Sequence, residues 1–259
     1  MDIKAAVNYL EGLWTPEQGA FREAYGLNHY WQNDNYIASI VMSKYDPAKV
    51  QIQRSGILSG YTDIRWCLLT GDTIHFKQTP LILPDWMRYA DLVGLQFLYL
   101  CSAGLQGQDG PPGAPTFYTR ETLMGILGKM YGLEYPGYIT DIASPFEAYT
   151  MYKLCIYALC ALKFNYESLA EELINTVTQF QIQSGPQAGG IKTEYVPPDL
   201  QSKYPGLLGL ANCETTSLCI IAQEALNSYK LKNGLMTGFG LAAAGAGAIS
   251  LAVKWRSQR

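Results

Sequence analysis

The sequence predicts an all-α domain of about four helical hairpins, followed by one C-terminal membrane-spanning helix. Three observations support this prediction. One segment of the chain is repeated, most of the stretches between the repeats have helical periodicity, and the C-terminal region contains a long uncharged apolar run. We expect the helical domain to cover residues 1–230 and the anchor with its basic tail to cover residues 231–259.

The repeated segment is clearest near the two ends of the helical domain. The first copy covers residues 19–25 and leads to Asp34, and the last copy covers residues 189–195 and leads to Glu214. In both copies a glycine follows a polar turn, an apolar residue and a tyrosine come at fixed offsets, and a carboxylate then begins an apolar helix. Self-similarity of this kind is typical of repeat architectures, in which corresponding residues return on the same face.

Two weaker copies lie between these. Asp85 begins the apolar run that ends near Cys101, and Glu147 begins the run that ends near Leu162. We therefore predict four inner helices that each begin with a carboxylate, where it interacts favourably with the positive end of the helix dipole. A carboxylate in this position is also an ordinary N-cap, which stabilises a helix without any role in function.

The remaining elements follow from periodicity, proline and glycine. Helices are predicted at residues 2–13, 34–45, from 85 onward, 119–131, 146–163, 165–182 and 213–229. The turn at residues 70–72 predicts a short β-hairpin within residues 64–77, and the glycines and prolines of residues 103–115 predict a loop. Within each hairpin, we expect the more apolar helix, the one that begins with an acid, to be the inner one.

The C-terminal run of residues 233–253 carries no charge and is long enough to cross a hydrocarbon layer of ~30 Å. Basic residues flank it on both sides, as expected for interfacial anchors. The alternative is a buried core helix, which so many glycines disfavour. Gly234 and Gly238 form a G-x-x-x-G pattern that would suit a helix partner in the membrane. Because the N-terminus does not resemble a signal peptide, we expect a cytoplasmic domain on a C-terminal anchor.

Composition narrows the classes of function. The net charge is -3 and no basic run occurs in the body of the chain, so no nucleic-acid partner is expected. Charged residues make up only 16% while tyrosines number 19, which favours neutral, polar ligands such as sugars. The 6 cysteines lie mostly in apolar helical runs, and no C-x-x-C pair occurs. With only 2 histidines, a zinc site of the common kinds is not indicated, and no cofactor is predicted.

The last copy carries a resemblance to a known superfamily. Gln183, the segment at 189–195 and the run at 212–218 resemble repeats of the α/α-toroid superfamily, which includes terpenoid cyclases, protein prenyltransferase β-subunits and six-hairpin glycosidases. The resemblance implies an α/α toroid or partial toroid, with inner helices around a central cavity and a ligand site in the loops of one rim. The chain lacks the Asp-x-Asp-Asp motif of one cyclase class, and it has no histidine beyond His75 to complete a prenyltransferase zinc set.

The candidate site residues lie at the predicted rim. Asp34 and Glu214 begin the first and last inner helices, which are neighbours if the ring closes, and Glu194 and Glu23 are further acids. Glycoside cleavage needs two carboxyl groups separated by ~5.5 Å or by ~6.5 to 9.5 Å. We therefore take Asp34, Glu214 and Glu194 as candidate catalytic residues. The candidate ligand-binding residues are Tyr25, His29, Trp31, Trp86, Glu147 and Tyr195, although aromatic residues are more often part of a core.

Three functions fit these observations. The first is a membrane-anchored binding or scaffold module for a saccharide, a lipid-linked glycan or a peptide. The second is a carbohydrate-active hydrolase or lyase that uses paired rim carboxylates, and the third is an accessory subunit of a membrane complex. A carboxylate pair in which one member has a raised pKa would favour the enzyme. Acids that are bonded to the N–H groups of their own helices would favour the scaffold.

Overall fold

The structure is a computed structural model that describes residues 1–50, 85–109, 117–143, 149–203 and 209–242, with side chains of the last helix described as far as Asn233. It is mostly helical, as the sequence predicts. The helices are α1 (Ile3–Leu13), α2 (Gln32–Tyr45), α3 (Ala90–Ser102), α4 (Arg120–Met130), α5 (Met151–Lys163), α6 (Glu167–Thr178) and α7 (Cys213–Ala242). Two-residue strands form three antiparallel pairs, namely β1 (Trp14–Thr15) with β2 (Ala20–Phe21), β3 (Gly107–Gln108) with β4 (Tyr118–Thr119), and β5 (Tyr149–Thr150) with β6 (Glu194–Tyr195).

The described helices form two layers. In the inner layer, α3 packs on α5, α5 on α7, and α7 on α2. In the outer layer, α4 packs on α3 and α5, α6 on α5 and α7, and α1 on α7 and α2. The N-terminal hairpin therefore continues the array after the last helix, and the first and last inner helices are neighbours.

The two layers differ in how they bury their side chains. The outer helix α1 buries one stripe, which consists of Ala6, Val7, Tyr9, Leu10 and Leu13. The inner helix α3 is instead buried on nearly all sides, and eight consecutive residues, 93–100, are buried. A helix that is apolar all round is buried on all sides, so the apolar composition of α3 places it in the inner layer. Helix α2 is instead less apolar than the outer helix α1, so the expectation that the more apolar helix is the inner one is wrong for the first hairpin.

A turn segment follows each of the three outer helices. Each segment has a glycine in the left-handed region, and these glycines are Gly19 (φ 60), Gly137 (φ 84) and Gly189 (φ 90). Two residues after each glycine, an apolar residue pairs in antiparallel fashion with the end of the preceding helix, in the pairs Phe21 with Trp14, Ile139 with Tyr131, and Ile191 with Gln181. The copy at 137–143 has no counterpart in the sequence prediction, which placed a repeat at residue 147 instead.

Hydrogen bonds confirm that these three turn segments are equivalent. The residue three positions after each glycine donates its backbone N–H to the end of the outer helix, in the pairs Arg22 to Leu13 (3.0 Å), Thr140 to Met130 (3.2 Å) and Lys192 to Phe180 (3.1 Å). The repeat is therefore a property of the backbone, and side-chain identity reflects it only in part.

Each turn segment also caps the inner helix of the hairpin before it. The residue four positions after the glycine accepts the N–H of the first helical residue, in the pairs Glu23 carbonyl with Cys213 (2.7 Å), Thr193 carbonyl with Met151 (2.8 Å) and Asp141 carboxylate with Ala90 (2.8 Å). The first N–H groups of a helix have no partner within the helix, so this contact satisfies a group that burial would otherwise make costly. The first turn segment, which follows α1, thus caps α7, the last inner helix. A contact of the same kind links each of the later turn segments to the inner helix that it caps.

Several predicted helix starts are corrected. Asp85 precedes a 3-10 turn, Trp86–Arg88, and α3 begins only at Ala90, with Asp91 in its first turn. Helix α5 begins at Met151 and has no acid in its first turn, while Glu147 lies outside the described residues. The predicted β-hairpin at 64–77 also lies outside them.

The C-terminal helix is longer than predicted, since α7 continues without a break from Cys213 to Ala242. Within the described part of the chain, no helix combines the length and the apolar character needed to cross a membrane. Of the predicted span at 233–253, residues 243–253 lie outside the described part.

Candidate functional site

The candidate site lies at the end of the molecule where the inner helices begin. All four described inner helices start at this end, because the turn segments that follow α1, α4 and α6 cap α7, α3 and α5, and the first of these segments leads into α2. We call this end the N-terminal rim. The positive ends of the inner-helix dipoles therefore point toward one surface, which favours acidic side chains there.

Asp34 and Glu214 both lie in first turns at this rim, but they are not equivalent residues. The backbone N–H of Phe21 donates to Asn35 Oδ1 at 2.7 Å, and the corresponding N–H of Ile191 donates to Thr216 Oγ1 at 3.0 Å. Asn35 and Thr216 are each the fourth residue of their helix, so they align.

This alignment pairs Asp34 with Thr215, and Glu214 with Asn33. A shift of one residue turns a side chain by about 100° around a helix, so the two acids face different surroundings. Asp34 is only 5% exposed and Thr215 is fully buried, whereas Glu214 is half-buried. The expectation from the sequence that Asp34 and Glu214 occupy equivalent positions of the repeat is therefore corrected.

Neither acid is an N-cap. The N-cap residue of α2 is Trp31, whose side chain makes no capping hydrogen bond. In α7 the capping side chain is that of Asn212, whose Oδ1 accepts the N–H of Thr215 at 2.8 Å. The N-cap explanation thus applies to Asn212, and Asp34 and Glu214 remain as first-turn acids.

A loop at residues 22–31 covers the start of α7 and exposes several rings. Asn35 holds it in place, because its amide donates to the carbonyls of Phe21 (3.0 Å) and Trp31 (2.9 Å). Tyr25 is 49% exposed and Trp31 is 40% exposed, and the His29 side chain is exposed as well. Large exposed rings on a fixed loop are typical of a binding surface.

A carboxyl group outside this loop, that of Glu194, interacts electrostatically with Glu23. Burial, together with the negative charge of Glu23, raises the pKa of Glu194 to about 7. Glu23 Oε2 also lies 3.7 Å from His29 Nδ1. Glu194 is therefore a carboxyl group that exchanges its proton near neutral pH, next to a second acid.

Tyr9 and Cys213 fill the space beneath the loop. The Tyr9 hydroxyl donates to the Ala211 carbonyl at 2.7 Å, and the Cys213 thiol lies 3.7 Å from the Asp34 carbonyl oxygen. Burial is the main cause that raises the pKa of both groups, and the charge of Asp34 contributes in each case. Both groups therefore stay protonated at neutral pH. No sequence signal pointed to Tyr9, which lies in the first outer helix.

Tyr195 belongs to a separate aromatic cluster. Its ring stacks on Tyr138 with centroids 4.5 Å apart and 11° between the planes, and its hydroxyl donates to Tyr135 at 3.4 Å. Tyr149 and Phe180 complete the cluster. Since successive side chains of a strand point in opposite directions, Glu194 and Tyr195 serve different surfaces. The structure thus places Tyr25, His29, Trp31 and Glu23 in one loop, with Glu23 acting electrostatically on Glu194, and it leaves Tyr195 apart.

Trp86 is not part of the candidate site. It is 2% exposed and packs edge-on against Tyr118, with ring centroids 5.1 Å apart. It belongs to the main hydrophobic core, so the structure does not place its ring at the surface of the rim. Glu147 lies outside the described residues.

Comparison of the chain with protein-family models, with curated proteins and with solved structures finds no match. The resemblance to α/α-toroid repeats therefore stays a prediction. The geometry of the rim is the basis for any assignment of function.

Proposed function

We propose that this chain is an α/α toroid, or a partial toroid, whose N-terminal rim binds a saccharide or a peptide. The cyclic pattern of caps supports the architecture. The turn segment of the first hairpin caps the inner helix of the last hairpin at 2.7 Å, in the way that later turn segments cap α3 and α5. This is the relation expected between neighbours in a ring.

One observation carries the binding proposal. The loop at 22–31 carries the exposed rings of Tyr25, His29 and Trp31 together with Glu23, whose carboxylate lies 3.7 Å from His29 Nδ1 and whose charge acts on Glu194. Aromatic faces stack on the apolar faces of sugar rings, and carboxyl groups accept hydrogen bonds from sugar hydroxyls. A neutral polyol suits this surface better than an anion, because the nearby acids would repel a phosphate or a carboxylate.

The test compares the loss of an exposed ring at the rim with the loss of an exposed ring elsewhere. Trp31→Ala should weaken the binding of the best ligand from a glycan and peptide array about fivefold to tenfold, which corresponds to ~1 to 1.5 kcal/mol for one stacked ring. Tyr166→Ala is the matched control, since Tyr166 is 51% exposed at the start of α6, away from the rim. Equal effects of the two changes, measured by calorimetry, would count against a site at the rim.

A second function is favoured by the pKa of Glu194. An acid with a pKa of about 7 beside a second carboxylate has the properties of a general acid in glycoside hydrolysis. Glu194 would protonate the leaving oxygen, and the second carboxylate would act as nucleophile or as base toward water. Glu194→Gln should then abolish release of reducing sugar while leaving ligand binding intact. Turnover that persists in this variant would exclude the mechanism.

We further propose that residues 231–259 anchor the domain to a membrane, alone or beside a helix partner in a membrane complex. The support is the uncharged run at 233–253 with basic residues at both ends. A chain that ends at Lys230 should remain in the soluble fraction and be folded, while the full chain should stay in the pellet after carbonate washing. Full chain that washes off, or truncated chain that fails to fold, would contradict an anchor role.

A further inference from the structure

Three sulfur atoms from distant parts of the chain meet inside the protein. Cys219 of α7 donates its thiol to the Met1 thioether, with 3.3 Å between the sulfur atoms. Cys155 of α5 interacts with Cys219, which lies on the helix α7 that packs against α5. Both cysteines are almost fully buried, at 1% and 0% exposure.

Met1 is held in this position by its neighbour. The backbone N–H of Asp2 donates to Gln181 Oε1 at 2.9 Å, and Gln181 Nε2 donates back to the Asp2 carbonyl at 2.7 Å. The pair of bonds ties the N-terminal residues to the end of the outer helix α6. The third sulfur is therefore in place before any ligand arrives, which lowers the entropic cost of binding.

We propose that Met1 Sδ, Cys155 Sγ and Cys219 Sγ form a site for one soft monovalent metal ion, Cu(I) or Ag(I). Thiolate and thioether sulfur together select soft ions, because a thioether is a poor ligand for Zn²⁺ and for hard cations. Motif searches based on sequence spacing do not detect these three ligands, because they are residues 1, 155 and 219 rather than a C-x-x-C motif.

The surroundings suit an ion of low charge. The site lies among apolar residues of the main core, where one or two thiolates can neutralise a single positive charge but a bare divalent ion would be costly. Met1 is only partly buried, so displacement of its side chain opens a route from solvent to the two thiols.

The experiment is an anaerobic competition for Cu(I) between the reduced full-length protein and a chromophoric chelator, with Ag(I) as an ion that does not change oxidation state. One ion per chain should bind. Cys155→Ala and Cys219→Ala should each weaken binding at least a hundredfold. Cys160→Ala is the matched control, because this thiol is equally buried on α5 but bonds to the Gly94 carbonyl at 3.4 Å.

Selenomethionine labelling tests the third ligand, because X-ray absorption then distinguishes selenium from sulfur. A copper–selenium contact in the labelled protein would support the role of Met1, and circular dichroism confirms that each variant is folded. Absence of one-to-one binding would overturn the proposal. Unchanged affinity in either cysteine variant, or a copper ion with no selenium neighbour, would do the same.

Discussion

Replacement of Gly189 by alanine should be the most damaging single change in the turn segments. An alanine at φ 90 has a backbone strain of ~1 to 2 kcal/mol. This cost is offset by ~0.4 to 1 kcal/mol, because alanine lowers the conformational entropy of the unfolded chain. In addition, its Cβ would lie 2.0 Å from the Ala5 carbonyl oxygen. Removing this clash requires the turn to move by ~1 Å from α1, at an overpacking cost of ~1 to 3 kcal/mol. We expect a total loss of ~2 to 4 kcal/mol.

Gly185 provides the matched control in the same loop. It also has a positive φ, of 83, but a Cβ there would meet no atom within 4 Å. Gly185→Ala should therefore cost only the strain, about 1 kcal/mol or less. Urea unfolding of both variants, followed by circular dichroism, measures the difference. Equal losses would refute the clash argument, because the two positions share the backbone strain and differ only in the contact with α1.

Three further changes test the rim by the same unfolding assay. Asn35→Ala should cost about 3 kcal/mol, because the amide makes three hydrogen bonds to loop backbone and is fully buried. Glu194→Gln should raise stability at pH 8 by up to ~2 kcal/mol and have no effect near pH 4. The pKa of Glu194 is about 7 in the folded protein and 4.5 in the unfolded chain. The free energy of unfolding of the wild type therefore falls as the pH rises from 4.5 to about 7. Asn212→Ala should cost ~1 kcal/mol through loss of the cap, while Glu214→Gln should change stability by less.

Each of these expectations has an outcome that contradicts it. A neutral Asn35→Ala variant would mean that the loop holds its position without the amide. A Glu194→Gln effect that is independent of pH would mean that the carboxyl group titrates normally. A larger loss for Glu214→Gln than for Asn212→Ala would restore Glu214 as the cap of α7.

Periodicity and turn chemistry predicted the helices well, because both are local properties of the chain. The predicted helix at 2–13 is observed as α1, and that at 34–45 as α2, with differences of one and two residues at their first residues and none at their last. Gly19 and Gly189, with which the two clear copies of the repeat begin, both adopt a positive φ. Acids at helix starts were a weaker guide, since the carboxylate that caps α3 is Asp141, 51 residues away in sequence.

In the candidate site as well, the sequence predicted features that are local in the chain and missed those that depend on distant contacts. Tyr25, His29 and Trp31 follow the first repeat closely in sequence, so their common location was predictable. The pairing of Asp34 with Glu214 was not, because helix register depends on which side chain accepts the N–H of the turn segment. That acceptor is an asparagine in one copy and a threonine in the other, and residue identity does not reveal that they correspond.

By itself, the sequence determined which stretches are helical, that the strongly apolar helix α3 is buried, and where the chain reverses at a left-handed glycine. These follow from side-chain composition and backbone sterics within a few residues. Tertiary structure alone decided that the first turn segment caps the last inner helix, that Glu194 interacts electrostatically with Glu23, and that Met1 meets Cys155 and Cys219. These contacts join residues more than sixty positions apart, and they depend on how whole helices pack, which no local pattern encodes.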